Sequence, residues 1–440
     1  MRFKQLSFKQ LRFEHSKISG TNILLQIPII SGLLFACGPT RNQSSADKPY
    51  KSIVLDLVSV DSAGVPKFGL VERSFFALQD LDALDGTYAK FKRGGNLTIK
   101  EVSGSIVASE SFSGGQSPDL RYTLDDGVVV PSDYSSLAML SAYYQFDYIY
   151  AKVNEKLGLD PANLQAKLPE GKHTVLFEPQ IKFKLDNLEG EIGIKLNAAF
   201  SPKDKQFLLF QRSAIESIPL SSNIQVIAHE FGHSVFDYAF FNGNYEDSNY
   251  LGESYAMRGL NEGFADFVSW TYTQSPDILR SSINIEDVAN ERHITNTTFT
   301  WSAFVAQSIS DSTTEGASKW SKCRDSFYCI GTIFARGLIE AKTSLPSVTN
   351  QEYAFRIIES LRLAQAFMNN LPENIMPKAS STDGDQPSFD FSRQGKFVGG
   401  FLYAILNGVE PSWRGPMCQA FAKNFEDEGF PLNVRDTVCP

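Results

Sequence analysis

The sequence predicts an α+β protein with a β-rich amino-terminal lobe and a mainly helical carboxy-terminal lobe, with its chemistry at their junction. Three observations predict it. Between residues 53 and 130, β-branched residues alternate or cluster between Gly, Asp and Ser turns. From Glu253 onward apolar residues recur mostly at helical spacing. At the boundary stands "VIAHEFGHSVFDYAF", beginning at Val226, which holds two of the chain's five histidines. The 440 residues, 42% hydrophobic and 21% charged, suit a folded chain with a large core. A net charge of -9 speaks against a duplex nucleic-acid partner, which would need basic patches.

The first element is a leader. Arg2, Lys4, Lys9, Arg12 and Lys17 precede the apolar run "ILLQIPIISGLLFA", which Gln26 and Pro28 interrupt and which is short for a membrane span. It ends in "LFACG", which resembles the bacterial lipobox through Leu34, Ala36, Cys37 and Gly38. That resemblance implies a signal peptide over residues 1–37 and a lipidated Cys37. It places the protein on a membrane of the bacterial cell envelope, facing periplasm or exterior, with the lipid bilayer as a partner. A plain secretory signal with a chance cysteine is the alternative. Residues 38–52 read as a polar tether. The other cysteines, Cys323, Cys329, Cys418 and Cys439, are most simply two local disulfides, although three connectivities are open. A Cys-ligated zinc is the other reading, with spacings that do not match C-x-x-C pairs.

The β-rich lobe is expected over 53–240. "SIVLDLVSV", "NLTIKEVSGSIVASESF" and "GVVVP" read as strands. "SDYSSLAMLSAYYQFDYIYAKVNEKLGLDP" then takes a helical period, opening on Ser and Asp and closing on Gly158 and Pro161. A second β stretch runs from "HTVLFEPQIKFKL" to "EIGIKLNAAFSPKDKQFLLFQ". The helical lobe is expected over 241–440, with loops at 274–300, 309–320 and 376–396. No internal repeat is evident, and a monomer is expected.

The junction helix carries the chemistry. Ser222 and Gln225 form an S-x-x-Q capping box, so the helix is expected to start at Asn223. Ile224, Ile227, Ala228, Phe231 and Val235 make its buried stripe. His229 and His233, at i and i+4, share a side and can reach one metal ion. Glu230 is rotated about 100° from His229, where a base can take a proton from water beside the metal. Two core histidines satisfied by hydrogen bonds are the bland alternative. Downstream, "GLNEGFADFVSW" places Glu262 and Asp266 at i and i+4 among Leu260, Phe264, Phe267, Val268 and Thr271. Carboxylates on so apolar a helix call for compensation. Glu262 as third metal ligand and Asp266 as acceptor of an imidazole N–H provide it. Two salt-bridged acids, with Arg258 as partner, are the alternative.

"HEFGH" followed by "NEGFADF" resembles the Glu-zincin metalloproteases, in particular the thermolysin-like and fungalysin-like endopeptidases. The resemblance implies a zincin-type fold with the active site between the lobes, a Zn²⁺ cofactor, and peptide or protein substrates. Residue by residue it implies zinc ligation by His229, His233 and Glu262, a general base at Glu230, and an orienting carboxylate at Asp266. "LNAAF", Leu196–Phe200, is similar to the family's upper edge strand, which implies substrate-backbone pairing at Asn197 and Ala198. "AYYQFDYIY", Ala142–Tyr150, is similar to the Tyr-rich helix before that strand.

The sequence departs from the family where a further His normally stabilises the oxyanion. "FYCIGTIFA", Phe327–Ala335, places Tyr328 there, and a phenol can donate one hydrogen bond. His293 in "NERHITN" is the other candidate. The departure leaves open a second function: a non-catalytic zinc-binding or scaffold lipoprotein that kept the fold. The acidic stretch "STDGDQPSFDFS" fits no Ca²⁺ loop pattern and reads as a solvated turn, so calcium is unsupported.

Overall fold

The computed structural model describes residues 49–102, 105–108, 112–185, 188–192, 196–211, 218–244, 255–279, 281–282, 292–295, 300–302, 327–368 and 391–440. The fold is mixed α+β, with a β-rich first part and a helical second part. Strands β1 (Lys51–Val60), β2 (Pro66–Ser74), β3 (Leu78–Asp80), β4 (Asp85–Gly86), β5 (Ala89–Arg93), β6 (Asn96–Val102), β7 (Ser105–Ala108), β8 (Tyr122–Asp125) and β9 (Val128–Pro131) come first. Helices α1 (Tyr134–Ala151), α2 (Val153–Leu157) and α3 (Pro161–Gln165) follow. Then come β10 (His173–Phe177), β11 (Gln180–Leu185), β12 (Leu188–Ile192), β13 (Leu196–Ser201) and β14 (Gln206–Gln211). The helical part holds α4 (Ile224–Phe240), α5 (Tyr255–Thr273), α6 (Phe327–Thr343), α7 (Asn350–Met368), α8 (Phe391–Gly408), α9 (Pro411–Gly429) and α10 (Leu432–Val438).

Among the described residues three sheets form, in the orders β2-β1-β9-β8, β13-β14-β10-β5-β4-β3 and β12-β11-β6-β7. The second and third are joined by two strands that bend together. The β5–β10 pair is parallel, and so is the β6–β11 pair that continues it. Across the bend Gly94 N–H donates to the Phe177 carbonyl at 2.7 Å, and Gln180 N–H to that of Gly95 at 2.8 Å. Gly94 and Gly95 take φ of 79° and 107°, where a side chain is strained, so glycine suits the corner.

Helix α1 is buried on nearly all sides. Asp133 caps it by accepting from Ser136 N–H at 2.7 Å. Three of its polar residues bond the elements around it, while the buried Ser135 and Tyr150 hydroxyls have no partner among the described residues. Ser141 Oγ accepts from Leu55 N–H on β1 at 2.9 Å, and Gln145 donates to the Ser222 carbonyl at 2.6 Å, just ahead of α4. Asp147 accepts from the backbone N–H groups of Phe76 and Ala77. Tyr150 packs edge-on against Phe231 of α4, centroids 5.1 Å apart. One apolar cluster therefore runs from Val54 through α1 to Val438, across both halves of the chain.

Helices α4, α5 and α6 approach closely at glycines. A Cβ on Gly232 of α4 would stand 2.6 Å from Ala265 Cα of α5, and one on Gly263 of α5 would stand 2.3 Å from the Gly331 carbonyl oxygen of α6. Backbone cannot yield to such contacts, so these positions exclude any side chain. Glu262 is thereby drawn toward α4 by its own helix's packing.

Three expectations shift. The α4 cap is Asn223, whose side chain accepts from Gln225 N–H at 2.9 Å. Ser222 instead ends a 3₁₀ turn, Leu220–Ser222, with its buried hydroxyl unbonded, and Gln225 turns its amide to the Asp277 carbonyl. The turn displaces the cap by one residue. Helix α8 begins at Phe391, inside the expected 376–396 loop, because "SRQGK" continues the helix whose buried face carries Phe397, Val398 and Phe401. The first strand starts at Lys51, within the expected tether. Cys418 and Cys439 form a disulfide, Cα atoms 5.9 Å apart, and Cys329 is also disulfide-bonded. Cys323, Cys37, the 309–320 loop and most of the acidic stretch from Ser381 lie outside the described residues. Among the described residues no helix is long and apolar enough to cross a membrane.

A buried polar cluster pins the β13–β14 hairpin to α4. His173 Nδ1 donates to the Lys205 carbonyl at 3.0 Å, Ser234 Oγ lies 3.3 Å from His173 Nε2, and Lys205 Nζ meets Asp237 at 2.5 Å. Burial lowers His173 to about 4 from its ordinary 6.5. The unfolded chain therefore binds a proton that the folded one refuses, and stability is lost as pH falls from 6.5 toward 4. Burial raises Asp147 to about 6, so its slope opposes that loss over part of the range. His173→Gln should therefore remove an acid-side decline in stability. The check is the denaturation midpoint of both proteins from pH 7 to pH 4.

Candidate metal centre

Helix α4 presents His229 and His233 on one side, as their spacing requires, and α5 brings Glu262 to them. His229 Nε2 lies 3.1 Å from His233 Nε2 and 3.2 Å from Glu262 Oε2, and His233 Nε2 lies 3.7 Å from the same oxygen. Donors bound tetrahedrally at about 2.0–2.1 Å would stand roughly 3.3 Å apart. The triangle has the size of one face of such a tetrahedron.

The opposite ring nitrogens are held by oxygen acceptors. His229 Nδ1 is 2.7 Å from Asp266 Oδ1, and His233 Nδ1 is 2.9 Å from Asn261 Oδ1. Each Nδ1 then carries the proton, which turns each Nε2 lone pair toward the shared point. Two lone pairs and a carboxylate oxygen facing one another repel unless positive charge stands between them. Burial and the Arg292 charge oppose protonation of His229, but Asp266 and Glu262 outweigh them and raise it to about 9. Without a metal a proton meets that demand. A divalent cation would displace it, so uptake releases a proton. The donor set therefore fits zinc, with two imidazoles and one carboxylate as three of the four donors of a tetrahedral site.

Arg292 completes the surroundings and is absent from any sequence-level expectation. It is buried, with Nη2 2.5 Å and Nε 3.2 Å from the Asp266 carboxylate and Nη1 3.3 Å from Glu262 Oε2. Its Nη2 is nearly equidistant from His229 Nδ1 and Nε2, at 3.2 and 3.3 Å. A donor on the Nε2 lone-pair axis would stand much further from Nδ1, so Arg292 leaves that lone pair free. The acids' cationic neighbour is thus Arg292, not Arg258, whose guanidinium lies 4.1 Å over the Phe327 ring. Its only sequence signal was a charge beside His293 in a polar stretch. Asn261 was not expected either; its one signal is an amide beside Glu262 on a helix rich in apolar residues.

The remaining candidates are placed as follows. Glu230 is 6% exposed, beside His229 on α4, and no described residue hydrogen-bonds its carboxylate. Tyr328 opens α6 with its ring 4.6 Å beneath the Arg292 guanidinium. Burial, then the charges of Glu262 and Glu230, push its phenol up, so it stays a proton donor. His293 is half-exposed, pairs its backbone with Asp277 and bonds Thr295 Oγ1 at 3.0 Å. The chain there turns Arg292, not His293, into the cluster. Asn197 and Ala198 lie on β13, an outer strand of the six-stranded sheet that pairs with β14.

No family model matches the chain, and no curated protein matches it. Solved structures do match. One is the precursor of protealysin, a metalloproteinase from Serratia proteamaculans, with 11% identity and a TM-score of 0.37 over 75% of this chain and 87% of that one.

Proposed function

We propose that the chain is a zinc-dependent endopeptidase. The observation that carries this is the donor triangle, with both Nδ1 atoms locked so that both Nε2 lone pairs converge with Glu262. Zinc at such a site supplies Lewis-acid activation of a water and of the substrate carbonyl. His229, His233 and Glu262 hold it, while Asp266 and Asn261 fix the rings. Glu230 takes the proton of the attacking water and passes it to the leaving amine. Tyr328 donates its O–H to the carbonyl oxygen as negative charge grows there. The outer strand β13 offers backbone partners to an extended peptide at Asn197 and Ala198.

The test is casein cleavage by the purified, leader-free protein. Activity should vanish with chelator and return with zinc. Stoichiometric zinc without cleavage would favour a non-catalytic metal-binding scaffold, and no retained metal would overturn the proposal.

The anchor is proposed separately, from "LFACG" alone. Cys37→Ala should move the protein from the membrane to the soluble fraction of its host cells. Unchanged membrane partition would remove Cys37 as the lipidated residue.

A further inference from the structure

Two guanidinium groups bracket one aromatic pair at the metal centre. Arg258 stacks 4.1 Å over Phe327, the Phe327 and Tyr328 rings are 4.5 Å apart, and Arg292 stacks 4.6 Å over Tyr328. The two arginines differ in what surrounds them. Arg292 is buried between the Asp266 and Glu262 carboxylates. Arg258 is exposed and pairs with no carboxylate among the described residues. It stands one helical turn before Glu262 on α5, at i and i+4, and so on the metal-facing side of that helix. Phe327 is 4% exposed, which fixes the platform beneath it.

The charge count sharpens the contrast. A dication together with Arg292 offsets the carboxylates of Glu230, Glu262 and Asp266. Among the described residues Arg258 is then an exposed cation outside that balance, one turn from Glu262, on a chain whose net charge is -9. Stacking on an aromatic face holds a guanidinium in place while leaving its edge N–H groups open for a carboxylate, which it can bind in a bidentate manner.

We infer that Arg258 determines specificity, binding a carboxylate carried by the peptide close to the bond that is cut. This rests on the metallopeptidase reading and narrows its substrate class to acidic peptides. The carboxylate has two sources, an Asp or Glu side chain or the free carboxy terminus of a short peptide.

The test uses zinc-loaded protein and quenched fluorogenic peptides identical except near the scissile bond. One carries Asp, one Asn and one Lys, all amidated, and a fourth is the Asn peptide with a free terminal carboxylate. Binding of the same peptides is measured in parallel by anisotropy, so the inference is decided even if none is cut. Failure to cut any of them counts against the metallopeptidase reading, while the binding arm still tests Arg258. The Asp peptide should show a KM or Kd about fivefold below its Asn counterpart, the size of an exposed ion pair, and the gap should shrink with salt. A gain confined to the fourth peptide assigns the carboxy terminus as source. Arg258→Gln should abolish the difference and Arg258→Glu should move it to the Lys peptide, both keeping their zinc. Arg258→Lys should retain part of it. Equal affinities for the acidic and neutral peptides in the parent protein, or a preference that survives in Arg258→Gln, would overturn the inference.

Discussion

Glu230→Gln will keep its zinc and lose at least about a hundredfold, and up to about ten-thousandfold, in kcat, the usual range for removing a general base. The substitution is nearly isosteric and leaves His229, His233 and Glu262 in place, so the metal count should match that of the parent protein. What disappears is a proton acceptor. The Glu230 carboxylate is buried beside His229, and among the described residues none hydrogen-bonds it ahead of a substrate water. An amide in its place can hold the water but cannot take its proton. Metal content by elemental analysis and turnover of a quenched peptide give the two readouts. Turnover within a few-fold of the parent would strip Glu230 of this role.

What the sequence revealed follows from how local each feature is. The pairing of His229 with His233 is a matter of helical period, and Glu262 with Asp266 repeats it on the next helix. Strand and helix segments were legible for the same reason, since apolar spacing within a segment decides them. Arg292 was not legible, because it comes from a short stretch some thirty residues past Glu262 and is placed only by the acids it meets. His173, Lys205 and Asp237 were hidden for a related reason: their burial depends on a hairpin folding onto α4, which no single segment encodes. The α4 cap moved by one residue because the 3₁₀ turn before it, tied to Gln145 of α1, is tertiary in origin.

Glu262→Ala gives the second large effect, on metal retention. Removing one donor leaves two imidazoles, and two ligands cannot enforce the tetrahedral face that the distances describe. Loss of a partner that merely orients a ligand costs about 10–100-fold in affinity, so loss of the ligand itself should exceed about 100-fold. Folding should survive, because Arg292 keeps both of its bonds to Asp266 and the glycine contacts of α5 with α4 and α6 are untouched. Glu262→Gln separates donor from charge: its amide oxygen can still coordinate, so it should rank between the parent and the Ala variant. Asp266→Asn should fall in the milder range, since it weakens only the hold on His229 Nδ1 and Arg292. Competition with a chromogenic chelator ranks the variants, and circular dichroism confirms that each is folded. Full zinc occupancy in Glu262→Ala after dialysis against chelator would exclude Glu262 as a donor. The metal centre would fall with it, because His229, His233 and Glu262 are the one group of such ligands among the described residues.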